Sequence, residues 1–313
     1  MPAMRPRPPA FLLLVLALLA CVGASEPAPA PGEPGWQERA VLALTNAVRI
    51  APADWKLRWS GGGLGAGVLD TYSQVAPVRW NAALGASARA HSIDMATTSA
   101  TTTTPCFQHD SCDGTPWAQR IASYYGLSST IGENIAAGYP DPEAVIQGWI
   151  CDPPPGQSAC SQDGSSFAGH RQNTMDGAWE AMGAGWVAIE SGPFPQYWTQ
   201  DFGGKVEASA TASPLVDGSH LLRTGNTIRF FANYYAGAVP TSVALVLDGV
   251  SQPLAPVLGS AARGTYALDL PRSAGCRSYR FEAVDAAGAA WRYPAAGQLR
   301  TSGEGTCTSS FEP

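Results

Sequence analysis

Three side chains able to move protons or hold a metal ion stand far apart in the chain: His109 in "FQHDSCDG", Glu133 in "GENIA" and His170 in "AGHRQN". Imidazole and carboxylate titrate usefully as general acid and base. They also hold Zn²⁺ in sites of two His and one acid, with water in an open position. Their spacing matches no local metal motif such as H-E-x-x-H, so only a fold could gather them. Glu133 poses a further question. Only 14% of the chain is Asp, Glu, Lys or Arg, against a usual ~25%, yet this acid stands between Ile131 and Ile135.

Each residue also has a plain structural reading. His91 follows Ala88 on the apolar stripe of an expected helix, where a hydrogen-bonded core histidine is the ordinary outcome. His109 lies in a loop between Cys106 and Cys112, as a surface imidazole would. His170 sits at an expected helix start, where capping would account for it. Glu133 is expected in a packed turn with Asn134 as a turn-forming neighbour. Ser111 and Ser166 lie near these segments, but no G-x-S-x-G elbow surrounds either.

The elements that must position these groups are helices first and strands later. "WQERAVLALTNAVRIAP" has helical spacing stopped at Pro52, and "NAALGASARAHSIDMATT" starts from Asn81 as N-cap. "PWAQRIASYYG" and "DPEAVIQGWI" are shorter helices, the second capped by Asp141 with Pro142 at its first position. "WEAMGAGWVAIE" and "QYWTQDFGG" are expected to pair as strands across a turn near "SGPFP". This mixture predicts an α+β fold. The Gly-rich "GGGLGAG" lacks the Lys and context of a phosphate loop and is read as a flexible loop. From about residue 206 onward, short β-type runs split by turn residues predict an antiparallel sandwich of immunoglobulin or fibronectin-III type.

The chain has 313 residues and a formal charge of -6, with no Lys/Arg run to form a nucleic-acid face. Its start reads as an export signal over 1–24: Arg5 and Arg7, then "AFLLLVLALLA", too short for a stable membrane span. A Pro-rich linker follows over 25–35. "LLAC" is close to a bacterial lipobox with Leu19 two places before Cys21, so either Cys21 carries a lipid anchor or it leaves with the signal. The other six cysteines fall by proximity into Cys106/Cys112, Cys151/Cys160 and Cys276/Cys307, although six cysteines permit fifteen connectivities. Oxidised pairs fit an extracytoplasmic protein.

From 36 to 204 the motifs come in an order that resembles the CAP superfamily (cysteine-rich secretory, antigen 5 and pathogenesis-related proteins) in its bacterial SCP-like form. "ALTNAVR", "FQHDSCDGTPWAQRI", "GENIAAGYPDPEAVIQGWI", "GHRQNTMD" and "YWTQDFG" carry it. The resemblance implies an α-β-α sandwich with a cleft lined by two His and two acids, carried over as His109, Glu133 and His170. Asp152 stands where the fourth acid is expected, shorter than the usual Glu and beside Cys151. The segment 151–167 is longer than the link in bacterial relatives and is expected to ornament the cleft rim or cover it. The expected organisation is signal 1–24, linker 25–35, CAP/SCP-like domain 36–204 and β-sandwich 206–313. The function implied is a secreted or cell-surface binding module, with His109 and His170 holding zinc or another divalent cation and an unknown extracellular ligand: lipid, peptide or cell-surface component. The alternatives are a zinc-dependent peptidase or esterase with Glu133 as general base, and a lipid or sterol carrier.

Overall fold

The computed structural model describes residues 32–60, 63–102, 104–126, 130–204, 213–273, 275–301, 307 and 309–312. The expected signal 1–24, Cys21 and most of the 25–35 linker lie outside these residues. The elements run α1 (Trp36–Ile50), a short α2 (Pro52–Asp54) continued by a π-helical turn (Trp55–Trp59), β1 (Arg79–Trp80), α3 (Ala82–Thr101), α4 (Trp117–Tyr125), β2 (Ile131–Ala137), α5 (Pro142–Cys151), α6 (Gly169–Met175), β3 (Ala181–Ala188) and β4 (Gln196–Gly203). The C-terminal strands follow as β5 (Leu215–Arg223), β6 (Thr227–Tyr235), β7 (Ser242–Leu247), β8 (Val250–Pro253), β9 (Ala255–Gly259), β10 (Arg263–Pro271), β11 (Ser278–Val284), β12 (Ala290–Tyr293), β13 (Gln298–Arg300) and β14 (Phe311–Glu312). Cys106–Cys112, Cys151–Cys160 and Cys276–Cys307 are disulfide-bonded.

The first sheet has the order β1-β3-β4-β2, so β2 is an edge strand. "GENIA" is therefore strand, not the turn expected from sequence. Its seven residues pair antiparallel with β4, Glu133 opposite Asp201 and Asn134 opposite Gln200. Successive side chains take opposite faces, so Glu133 points to the side of α3 and α4 and Asn134 to the side of α1 and α6. Asn134 is thus a cross-strand partner rather than a turn former: its Nδ2 donates to Gln200 Oε1 at 3.0 Å and to the His170 carbonyl at 3.2 Å.

Glycine sets how closely the helices press on this sheet. A Cβ on Gly183 would lie 2.0 Å from Gly85 N, and one on Gly185 would lie 2.3 Å from the Ala88 carbonyl. The backbone of α3 therefore rests on β3, and Ser92 Oγ donates to Gly185 O at 3.1 Å. Asn81 caps α3 through Ala83 N and Leu84 N, and Asp141 caps α5 through Ala144 N. The helix α3 continues to Thr101, a few residues beyond the stretch with helical spacing.

Nearly every residue of α1 is buried, its polar ones included. The helix lies between the first sheet and the C-terminal strands, and its core cluster extends to Leu221, Phe231, Leu258 and Ala267. Buried polar groups need partners, and here they join the two regions. Asn46 Nδ2 and Asn233 Nδ2 each donate to Asp217 at 2.7 Å, and Asn233 also donates to Ala43 O. Arg49 donates to the carbonyls of Ala76, Thr174 and Asp176, so it caps the C-terminus of α6. The C-terminal strands form sheets β5-β6-β10-β9 and β14-β13-β11-β7-β8, with β12 on β11, around one shared core.

Burial raises the Asp217 carboxyl from 3.8 to about 6, against the lowering donated by Asn46 and Asn233. The folded chain keeps this proton between about pH 4 and 6, where the unfolded chain has lost it. Stability from this group therefore falls as pH rises through that window. Asp217→Asn should abolish that decline, on the order of 3 kcal/mol across the window. Urea denaturation from pH 4 to 7 measures it as a difference in slope between the two proteins.

Candidate functional site

The cleft opens beyond the edge strand β2. It has a volume of about 540 Å³, and its lining includes His109, Glu133, Asp152 and His170. The residues singled out in the sequence do converge here, but as two pairs. Glu133 meets one imidazole, not both.

The first pair is built on β2. His109 Nδ1 lies 2.9 Å from Glu133 Oε1, and the other carboxylate oxygen accepts from Arg120 of α4. The Glu133 side chain is 1% exposed and that of His109 is 49% exposed. Arg120 also donates to His109 O at 2.9 Å and to Ser111 Oγ at 3.2 Å, so one guanidinium holds both the acid and the loop carrying the imidazole. That loop is fastened further by Cys106–Cys112, by Cys112 N donating to Asp94, and by Asp110 capping Trp117 N. His91 is a buried core histidine whose ring anchors the Gln108 carbonyl at 3.0 Å, and burial pulls its pKa down. It is not among the residues lining the cleft.

The strand itself is fixed from behind. A Cβ on Gly132 would come within 2.8 Å of Asn173 and Trp179. Glycine there lets Asn173 Nδ2 reach Glu133 O at 2.9 Å. Trp149 of α5 donates to Ile135 O at 3.0 Å.

The second pair is Asp152 with His170. Asp152 follows α5 in left-handed backbone, φ 47°. Its carboxylate accepts from His170 N at 2.8 Å and meets His170 Nδ1 at 2.7 Å. The 151–167 segment is what places it. Cys151–Cys160 closes the segment on itself, and Ser161 Oγ donates to Asp152 O. Buried Arg171 binds Ser161 O and Asp163 Oδ1. Asp163 in turn accepts from Leu69 N and Thr71 N, and Gly67 is pressed against Gln162. The Gly-rich stretch read as flexible is pinned over these residues; 61 and 62 lie outside the described residues. Ser166 and Phe167 line the cleft, Phe167 being 53% exposed.

A carboxylate only accepts hydrogen bonds. In the neutral form of either ring, Nδ1 then carries the proton and Nε2 is a bare acceptor. A carboxylate behind an imidazole is the arrangement that orients metal-binding histidines. A bare imidazole nitrogen is a donor of the type that divalent cations take. Among the described residues no group of three or more His, Cys, Asp or Glu is gathered to complete such a site. Both oxygens of Glu133 are engaged, which removes the geometry of a free general base. Ser166 makes no hydrogen bond to either ring among the described residues.

A family model described as "Cysteine-rich secretory protein family" matches residues 42–202, just over half of the chain. The chain belongs to the CAP family. It is 33% identical over 131 residues to the uncharacterized protein YkwD of Bacillus subtilis, covering 41% of this chain and 40% of that protein. Among solved structures, an extracellular protein containing an SCP domain from Bacillus anthracis matches with 22% identity and TM-score 0.35, over 54% of this chain and 40% of that one. An outer surface protein of Borrelia burgdorferi matches with 15% identity and TM-score 0.31, over 50% of this chain and 89% of that one. The chain therefore spans well under two-thirds of both Bacillus proteins.

Sequence reasoning missed Arg120, Asp163, Asn173 and Asp201. Arg120 is one polar residue in a short amphipathic helix, and nothing in "WAQRI" says that it turns inward. In this CAP domain Arg120→Leu should destabilise the chain by about 3–5 kcal/mol, because it strands a buried carboxylate. Adding Glu133→Leu to that variant should recover a large part of the loss. Chemical denaturation of the single and double variants measures both.

Proposed function

We propose that this protein is a secreted or cell-surface CAP-family binding module whose cleft captures its ligand through the Nε2 atoms of His109 and His170. The observation that carries this is the double carboxylate–imidazole pairing, Glu133 with His109 and Asp152 with His170, facing one cleft. A divalent cation such as zinc would be held by those two nitrogens and would offer its remaining positions to water or to an oxygen of the ligand. The acids keep the rings aimed, and Asn173 and Gln172 add amide groups at the wall. Such a lining suits a peptide or a polar cell-surface component better than an apolar lipid. A hydrolase reading finds less support, since neither a free base nor an engaged hydroxyl stands in the cleft among the described residues.

Export is supported by the 1–24 signal reading and by the three disulfides, which persist in oxidising compartments. Among the described residues no helix is long and apolar enough to cross a membrane. Attachment through a lipid on Cys21 belongs to the same reading. The C-terminal strands are read as an immunoglobulin- or fibronectin-III-like sandwich that presents the CAP domain, on the strength of two sheets around one core.

Calorimetric titration of Zn²⁺ into the mature chain should give binding that His170→Ala weakens at least about tenfold, or 1.4 kcal/mol. No heat, or equal affinity in the variant, would end the metal part of the proposal. Asp152→Ala should weaken binding in the same direction, through loss of ring orientation.

A further inference from the structure

Behind the cleft lies a third acid, which the pairing does not use. Asp201 sits opposite Glu133 across the β2–β4 ladder, so both side chains leave the same face of the sheet. It is completely buried; no hydrogen bond of ordinary geometry reaches its oxygens, and the Ser87 hydroxyl is the side-chain donor that faces it. Glu133 comes from β2, Arg120 from α4 and Ser87 from α3, and His91, one helical turn on from Ser87, stands near Glu133 and Arg120. On β3 the directly opposed residue is Gly183, which has no side chain. The loop ahead of α4 contributes His109, which is bound to Glu133.

Charge decides the state of this cluster. Arg120 is the one fixed cation among these groups, and it is bound to Glu133. His91 donates Nε2–H to a carbonyl, and its buried Nδ1 is unpartnered, so it stands as a neutral ring. An ionised Asp201 would be a second buried carboxylate beside the first, with the Ser87 hydroxyl as its side-chain donor and a cation, Arg120, that is already bound to Glu133. That is costly even after relaxation. A carboxylic acid has one O–H to place, and the adjacent ionised acceptor is Glu133.

Resting on the cleft reading above, we propose that Asp201 is a positioning residue: a neutral carboxylic acid that gives its O–H to Glu133 and holds that carboxylate turned toward His109. Arg120, His109 and Asp201 then hold Glu133 from three sides. Burial and the neighbouring Glu133 both push the Asp201 pKa well above the ordinary carboxylate range, in keeping with this state. Deep burial of an acid one strand behind the cleft thereby acquires a purpose: it prevents Glu133 from swinging off the imidazole.

The test uses the mature chain with ¹³C-labelled aspartate carboxyls, followed by NMR from pH 4 to 8, with Asp201→Asn identifying the signal. The Asp201 carbon should keep the shift of a protonated acid across the range. A signal that titrates with the exposed aspartates would overturn the proposal. The ¹⁵N spectrum of His109 gives a second readout. Asp201→Asn retains a donor and should keep the proton on Nδ1, whereas Asp201→Leu should leave a mixture of tautomers. Equal spectra for Asn and Leu variants would also overturn it. If the Leu variant does not fold, the labelled wild type and the Asn variant still decide. None of these readouts involves zinc, so failure of the metal titration and failure of this inference are separate results.

Discussion

A buried carboxylate needs donors for its oxygens, and the deeper it lies the more it needs a matching charge. In this protein the match is Arg120 to Glu133, and much of the cleft depends on it. The guanidinium neutralises the acid, fixes the His109 carbonyl and ties the Cys106–Cys112 loop to α4. Without it Glu133 could not remain 1% exposed at the edge of the sheet, and His109 would be an ordinary surface imidazole on a short loop. Asp152 meets the same constraint differently. It is less deeply placed and takes its donors from one residue, the backbone N–H and ring of His170.

These two solutions give the site a common logic from unlike parts. One imidazole is held by a strand and a helix, the other by a disulfide-closed segment in which a left-handed residue turns its carboxylate back onto the next helix. The 151–167 segment is therefore part of the site's frame as well as its rim. The support reaches further into the molecule. Arg49 on α1 caps the helix that carries His170, and α1 is itself enclosed by strands of the C-terminal region. The cleft and the C-terminal strands thus share a structural spine, although they lie on different parts of the fold.

Much of this was legible in the sequence, and the physical reason differs by element. The caps at Asn81 and Asp141, the buried stripe of α3 through Leu84, Ala88, His91 and Met95, and the β3–β4 pair follow from local chemistry and periodicity, which act over a few residues. His109, Glu133, Asp152 and His170 could be nominated through ordered motifs, because side-chain type and order survive in the string. Their pairing could not. Glu133 meets His109 and not His170 because β2 is a strand at the sheet edge with alternating faces, whereas its short, glycine-led sequence reads as a turn. Arg120 and Asp201 were invisible for a related reason. Their importance comes from what lies opposite them, Glu133 across a helix–sheet contact for Arg120 and across a strand pair for Asp201, and neither residue carries a local mark of it. The Gly-rich loop misled in the other direction: its clamp, Asp163, is about ninety residues away.

The claim beneath all of this is that two carboxylates set the proton positions of two imidazoles, leaving both Nε2 atoms open to the cleft. Nitrogen-15 NMR of the ring nitrogens in the metal-free mature chain measures that directly, at a pH where the rings are neutral. Both His109 and His170 should show a protonated Nδ1 and an unprotonated Nε2. A ring with its proton on Nε2, at either position, would contradict the account.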